Sequence, residues 1–154
     1  QSIEKPLDQK FDLIISKTLL EHVTDNTKSI NVMYDALQSD GIMMHYIPCK
    51  YHFYSIILRI IGPKLQKILI NYIRPETRSV TGYPVFFNQC SSHEMENLYN
   101  NIGFRQIEIK SYYRVTDYFS FFMPIFIIIA IFENLFKFSD LKVFASGIIL
   151  VAKK

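Results

Sequence analysis

Two short apolar runs, FDLIIS at 11–16 and IMMHYI at 42–47, bracket a stretch with helical periodicity. This strand–helix–strand order is the strongest constraint the sequence places on its fold. The first run is nearly continuous, as expected of a strand covered on both faces in a parallel sheet. Asp25, Asn26 and Thr27 then supply helix N-cap chemistry, and Ile30, Met33, Tyr34 and Leu37 share one helical face. The helix is expected to stop at Ser39-Asp40-Gly41, with Gly41 taking the left-handed position beyond it. Short links between the elements imply parallel strands joined by a right-handed crossover.

The remainder adds one legible helix and two strands. Ser91 and Glu94 fit a capping box, Met95, Leu98, Tyr99 and Ile102 form the apolar stripe, and Gly103 closes the helix. Residues 106–115 alternate as a strand does, and 143–152 reads as a late strand, a candidate to join the sheet antiparallel. The expected architecture is αβ, with a mostly parallel sheet. Ligands of such sheets bind beyond the carboxyl ends of the strands, which here deliver residues 16–22 and 48–52 to one rim.

Composition narrows the classes. The 154 residues suffice for one domain with a real core, and 49% are apolar. A net charge of +3 is too small to argue for nucleic acid, and no RNA-binding arrangement of aromatic and basic residues is present. Cys49 and Cys90 are too few for a disulfide framework, which favours a reducing, cytoplasmic compartment. QSIEKPLDQK lacks the apolar core of a signal peptide and an initiator Met, so the chain is expected to begin partway through a longer protein.

FDLIISKTLLEHV, SDGIMMHYIP, the stretch GYPVFFNQCSSHEMENLYNNIGF and the terminal LVAKK, in that order, resemble the C-terminal half of a class I S-adenosylmethionine-dependent methyltransferase. The resemblance implies strands four to seven of a Rossmann-like fold, with apolar insertions at about 53–73 and 118–138. It implies S-adenosylmethionine as cofactor, lined by Ser16, Lys17 and Thr18. Glu21 and His22 would then lie on the acceptor side, His22 as a candidate general base. Tyr51, His52 and Tyr54, just past the second strand, are placed either to line an acceptor pocket or simply to pack. The family's glycine-rich loop is missing: the five glycines contain no GxG. This stretch alone is therefore expected to bind the cofactor poorly.

Imidazole is the natural base near neutral pH, which supports His22 in that role, although Glu21 and His22 could equally brace the loop. His45, Cys49 and His52 offer three ligands where a structural zinc site takes four, so no metal is expected. Residues 53–73 mix aliphatic clusters with Arg59, Lys64 and Lys67, and 119–132 are almost wholly apolar. The second run is shorter than the roughly 20 residues of a membrane span. The two segments read either as interfacial helices giving peripheral membrane contact or as a lid over the pocket. The acceptor is expected to be a small molecule or a lipid-linked one; non-catalytic membrane binding and a small integral membrane protein are the alternatives.

Overall fold

The computed structural model describes residues 9–73, 84–114 and 122–154. Among them, strands β1 (Phe11–Lys17), β2 (Leu37–Pro48), β3 (Arg105–Tyr112) and β4 (Gly147–Lys153) form one sheet in the order β1-β2-β4-β3. Helix α1 (Asn26–Ala36) joins β1 to β2, α2 (Phe53–Ile73) and α3 (Ser92–Ile102) precede β3, and α4 (Met123–Phe138) precedes β4.

The sheet is mostly antiparallel, not mostly parallel. β1 and β2 pair in parallel, but β4 runs against both β2 and β3. The late strand inserts between β2 and β3, so two of the three pairings take the antiparallel form. β1, β2 and β3 nevertheless point the same way, and their carboxyl ends share one rim.

Helix α1 starts as its cap chemistry requires, with Asp25 accepting from the Lys28 N–H at 2.9 Å. It ends earlier than its apolar periodicity suggests. Leu37 is already extended (φ −77°, ψ 142°) and pairs with Phe11. The expected stop at 39–41 is instead a bulge inside β2, opposite Asp12, between the pairs Phe11↔Leu37 and Leu13↔Ile42. Asp40, not Gly41, holds the left-handed position (φ 64°). Gly41 answers to close approach: a Cβ there would sit 3.0 Å from the Gln38 carbonyl oxygen and 3.2 Å from that of Phe11.

The core lies on one face of the sheet, under α1 and α3. Met43, Ile47, Ile148 and Leu150 pack against Ile30, Met33, Met95, Leu98 and Tyr99, all buried. In α3, Ser91 accepts from the Glu94 N–H and Gly103 is left-handed (φ 104°). Phe104 folds back onto Tyr99, with ring centroids 4.6 Å apart.

The opposite face is open. Leu13 (51%), Ile15 (62%), Ile42 (41%) and Met44 (36%) stand side by side on it. β1 is thus an edge strand covered on one face only, where the sequence suggested two.

α2 and α4 lie largely outside the core. α2 breaks at Gly62 (φ 73°, ψ 164°), and Ile60 is 79% exposed. Pro124 sits in the first turn of α4, where a missing N–H costs nothing, so the helix runs past it. Residues 119–121 of the second apolar segment fall outside the described residues. Among those described, no helix is long and apolar enough to cross a membrane.

Two substitutions test which local features matter. Met95→Ala removes a side chain with no exposed surface and should cost about 3 kcal/mol through transfer and cavity terms. Ser91→Ala removes one cap and should cost about 1 kcal/mol. Urea unfolding of both variants checks the order; equal losses would place the core elsewhere.

Candidate functional site

The rim is built where β1 and β2 end. After Lys17 the chain turns through Thr18, left-handed at φ 50°, whose N–H donates to the Tyr46 carbonyl at 3.0 Å. The Thr18 hydroxyl donates to the Lys17 carbonyl at 2.8 Å. Parallel register sets Ser16 beside His45, and Ser16 Oγ lies 2.5 Å from His45 Nδ1. His45 has no exposed surface, and burial lowers its pKa to about 4, so the ring is neutral. Its Nε2 is buried with no hydrogen-bond partner among the described residues. Ser16 is half-buried and held in orientation, while Lys17 and Thr18 are exposed.

Next comes a tight turn at Leu20–His22. The Glu21 carbonyl accepts from the N–H groups of Phe86 and Phe87 at 2.7 and 3.1 Å. The Glu21 side chain is 5% exposed and its Oε2 is unpartnered among the described residues. Burial raises its pKa above the usual carboxylate range. Glu21 therefore turns its carboxyl into the protein.

His22 is placed differently. Its Nδ1–H donates to the Pro84 carbonyl at 2.8 Å, because a carbonyl can only accept. The neutral ring then carries its lone pair on Nε2, 3.8 Å from Glu21 Oε1. The His22 side chain is 31% exposed. This is the tautomer a general base at Nε2 needs.

The segment at 84–90 braces the turn. Asn26, wholly buried, donates from Nδ2 to the carbonyls of Leu20 at 3.1 Å and Asn88 at 2.5 Å. Asn88 returns a hydrogen bond to the Thr24 carbonyl at 2.8 Å. Sequence reasoning missed Asn26 and Asn88 as braces and His45 as the partner of Ser16. The only available signal was an Asn at a helix start, which reads as a cap.

Beyond β2, the Lys50 N–H donates to the Cys90 carbonyl at 2.9 Å, and the Lys50 ammonium pairs with Glu94 of α3. Cys49 and Cys90 are free thiols, each pushed up to about 12 by burial and therefore protonated. Tyr51 is 44% exposed, with the Lys50 ammonium 4.8 Å from its ring centroid. His52 is buried, accepts from the Tyr54 N–H at 3.3 Å, and is lowered to about 4 by burial. Tyr54 is half-buried. The rim thus brings together Ser16, Thr18 and His22 as accessible groups on one strand end, and Tyr51 and Tyr54 on the other. Among the described residues, no group of three or more His, Cys, Asp or Glu side chains is placed to hold a metal.

The buried histidines make stability depend on pH in a definite direction. An unfolded His titrates near its ordinary 6.5, whereas folded His45 does so near 4. Between those values the unfolded chain binds the extra proton, so stability is complete above pH 6.5 and falls as pH drops towards 4. The slope from one such group approaches about 1.4 kcal/mol per pH unit. His52 acts in the same direction, and Glu21, with a raised pKa, acts against it. His45→Gln should flatten a plot of urea midpoint against pH in this window; an unchanged slope would mean that His45 does not titrate as described.

Neither a family model nor a curated protein sequence matches the chain. Solved structures do. A SAM-dependent methyltransferase from Thermotoga maritima, described as a possible histamine N-methyltransferase, superposes with a TM-score of 0.57 at 13% identity. That match covers 100% of this chain and 62% of the other. The CurJ carbon methyltransferase matches with a TM-score of 0.52 at 14% identity, over 99% of this chain and 33% of its own. The chain therefore spans less than two thirds of the length of either protein. What it shares with them is the fold, that of S-adenosylmethionine-dependent methyltransferases.

Proposed function

We propose that these residues form strands four to seven of a class I methyltransferase that transfers a methyl group from S-adenosylmethionine to a small or amphipathic acceptor. The observation that carries this reading is the open side of the sheet. The strand order leaves β1 at an edge with Leu13 and Ile15 exposed, next to Ile42 and Met44 on the same uncovered face. An upstream half of the fold would pair with that edge and cover that face.

The residues present fit one side of such a cofactor. Ser16 offers a hydroxyl oriented by His45, and the left-handed turn at Thr18 leaves polar groups at the strand end. The described glycines are committed elsewhere: Gly41 to the bulge, Gly62 to the break in α2, Gly103 to the helix cap and Gly147 to the start of β4. In this reading an upstream loop cradles the rest of the nucleoside.

When bound, S-adenosylmethionine supplies an electrophilic methyl group on a sulfonium. The chain's own part is to position the acceptor in line and to exclude water. Where the acceptor must lose a proton, His22 takes it on Nε2 while Nδ1–H stays bonded to the Pro84 carbonyl.

Calorimetry with S-adenosylmethionine tests the first half of this reading. Residues 1–154 alone should show weak binding or none, and the same residues joined to an upstream half should bind. Comparably tight binding by both would overturn the division of the fold.

Turnover tests the second half. In the joined protein, His22→Ala should slow methyl transfer by about 10²–10⁴-fold, with cofactor affinity unchanged. Unchanged turnover with a lower melting temperature would leave His22 only its bond to Pro84.

A further inference from the structure

Helix α4 presents its apolar side outward. Its inner side, Phe126, Ile129, Ala130, Glu133 and Phe136, is half-buried or buried. The Phe136 ring fastens that side, stacked on Phe144 with centroids 4.8 Å apart. The outer side runs through Ile128, Ile131, Leu135 and Phe138, at the three- and four-residue spacing of one helical face. These four are 54, 62, 53 and 92% exposed. A helix packed on a protein and otherwise surrounded by water carries polar residues on that side.

Charge indicates what covers the stripe. Helix α2, α4 and the turn after α4 (53–73 and 122–144) hold five Lys and Arg against two acids. Of the two acids, Glu133 is buried and Asp140 lies 3.9 Å from Lys142. The remaining residues hold twelve of each sign, so the whole net charge of +3 resides with the two apolar helices. Lys137 and Lys142 are exposed at the carboxyl end of the stripe. An apolar stripe beside excess positive charge matches an anionic lipid surface, which uses both. A second copy of the chain would bring the same positive charge to the contact. An upstream half would pair at the open edge of β1, whereas α4 joins β3 to β4 on the other side of the sheet. The helix has 16 residues, about 24 Å, too short to span and long enough to lie along a surface.

We propose that α4 docks the protein on the surface of an anionic lipid bilayer. Ile128, Ile131, Leu135 and Phe138 enter the boundary between head groups and acyl chains. Lys137 and Lys142 meet the lipid phosphates, their stems lying along the apolar stripe. This attachment does not depend on methyl transfer.

Fluorescence and co-sedimentation with vesicles test it. The 154 residues contain no Trp, so Phe138→Trp adds a single reporter at the most exposed point of the stripe. Its emission should shift to the blue, saturably, on vesicles of phosphatidylcholine mixed with phosphatidylserine. Vesicles of phosphatidylcholine alone should bind more weakly, and high salt should remove the difference. Lys137→Gln and Lys142→Gln should each weaken binding to the anionic vesicles about fivefold and leave the neutral ones unaffected. Ile131→Ser should weaken binding to both about tenfold, with the melting temperature unchanged because the side chain is exposed. Absence of wild-type binding to anionic vesicles would overturn the proposal. So would binding that Ile131→Ser and both lysine variants leave unchanged, since another surface then holds the lipid. Light scattering that finds a dimer separated by Ile131→Ser would assign the stripe to a second copy. A lower melting temperature for Ile131→Ser would assign it to the protein's own interior. Either result overturns the proposal as well.

Discussion

β2 carries the constraint on which the rest depends. It pairs with β1 on one side and β4 on the other, and its residues alternate between a closed and an open face. Met43, His45 and Ile47 have no exposed surface, while Ile42 and Met44 remain over a third exposed. Burial on the closed face fixes register, because a slip of one residue would exchange the two sets. It also fixes His45. In that register the neutral, buried imidazole lies beside its neighbour on β1, Ser16, and bonds it through Nδ1. The orientation of the rim hydroxyl thus follows from apolar packing two layers away.

The rim is rigid for a different reason. Its turn is anchored in the core by Leu20 and Val23, and backbone hydrogen bonds and amides tie the polar residues between them to the chain at 84–90. The segment at 84–90 accepts from His22 and Asn26 and donates to Glu21 and Thr24, from more than 60 positions away in the chain. This explains why Glu21 and His22, adjacent in sequence, have opposite surroundings. The Glu21 carbonyl is used by the brace and its carboxyl turns inward. His22 meets the brace from the side, through Nδ1 and the Pro84 carbonyl, and its side chain stays about a third exposed.

What the sequence made legible was local. The capping box of Ser91 and Glu94, the left-handed Gly103 and the cap at Asp25 depend on residues within four positions of each other, and all form. The strand–helix–strand unit appears for the same reason. Turn chemistry at 39–41 was visible but ambiguous, since Asp and Gly serve a bulge as well as a helix end. The insertion of β4 between β2 and β3 depends on partners far apart in the chain, about a hundred residues for β2, which no local pattern encodes. Likewise, nothing in Asn26 or Asn88 distinguishes a cap or loop residue from a brace. The second apolar run showed its composition but not its start, because Pro124 reads as a break unless its place in the first helical turn is known.

The open face of the sheet bears on how the site becomes complete. Leu13, Ile15, Ile42 and Met44 are each exposed by between about a third and two thirds. Full burial of such a side chain is worth about 1.5–3 kcal/mol, so the unburied share of four of them is of order 3–6 kcal/mol. Net stability of a whole domain is only about 5–15 kcal/mol. Covering this face is therefore comparable with the entire folding free energy, whereas a solvent-exposed ion pair such as that of Asp40 and Lys153 contributes little. A further strand joining this sheet at that side would pair with the edge of β1, which carries Ser16 near its carboxyl end. Stability and the geometry of the rim thus meet in one strand, whose Leu13 and Ile15 lie on the open face and whose Ser16 is held at the rim by His45.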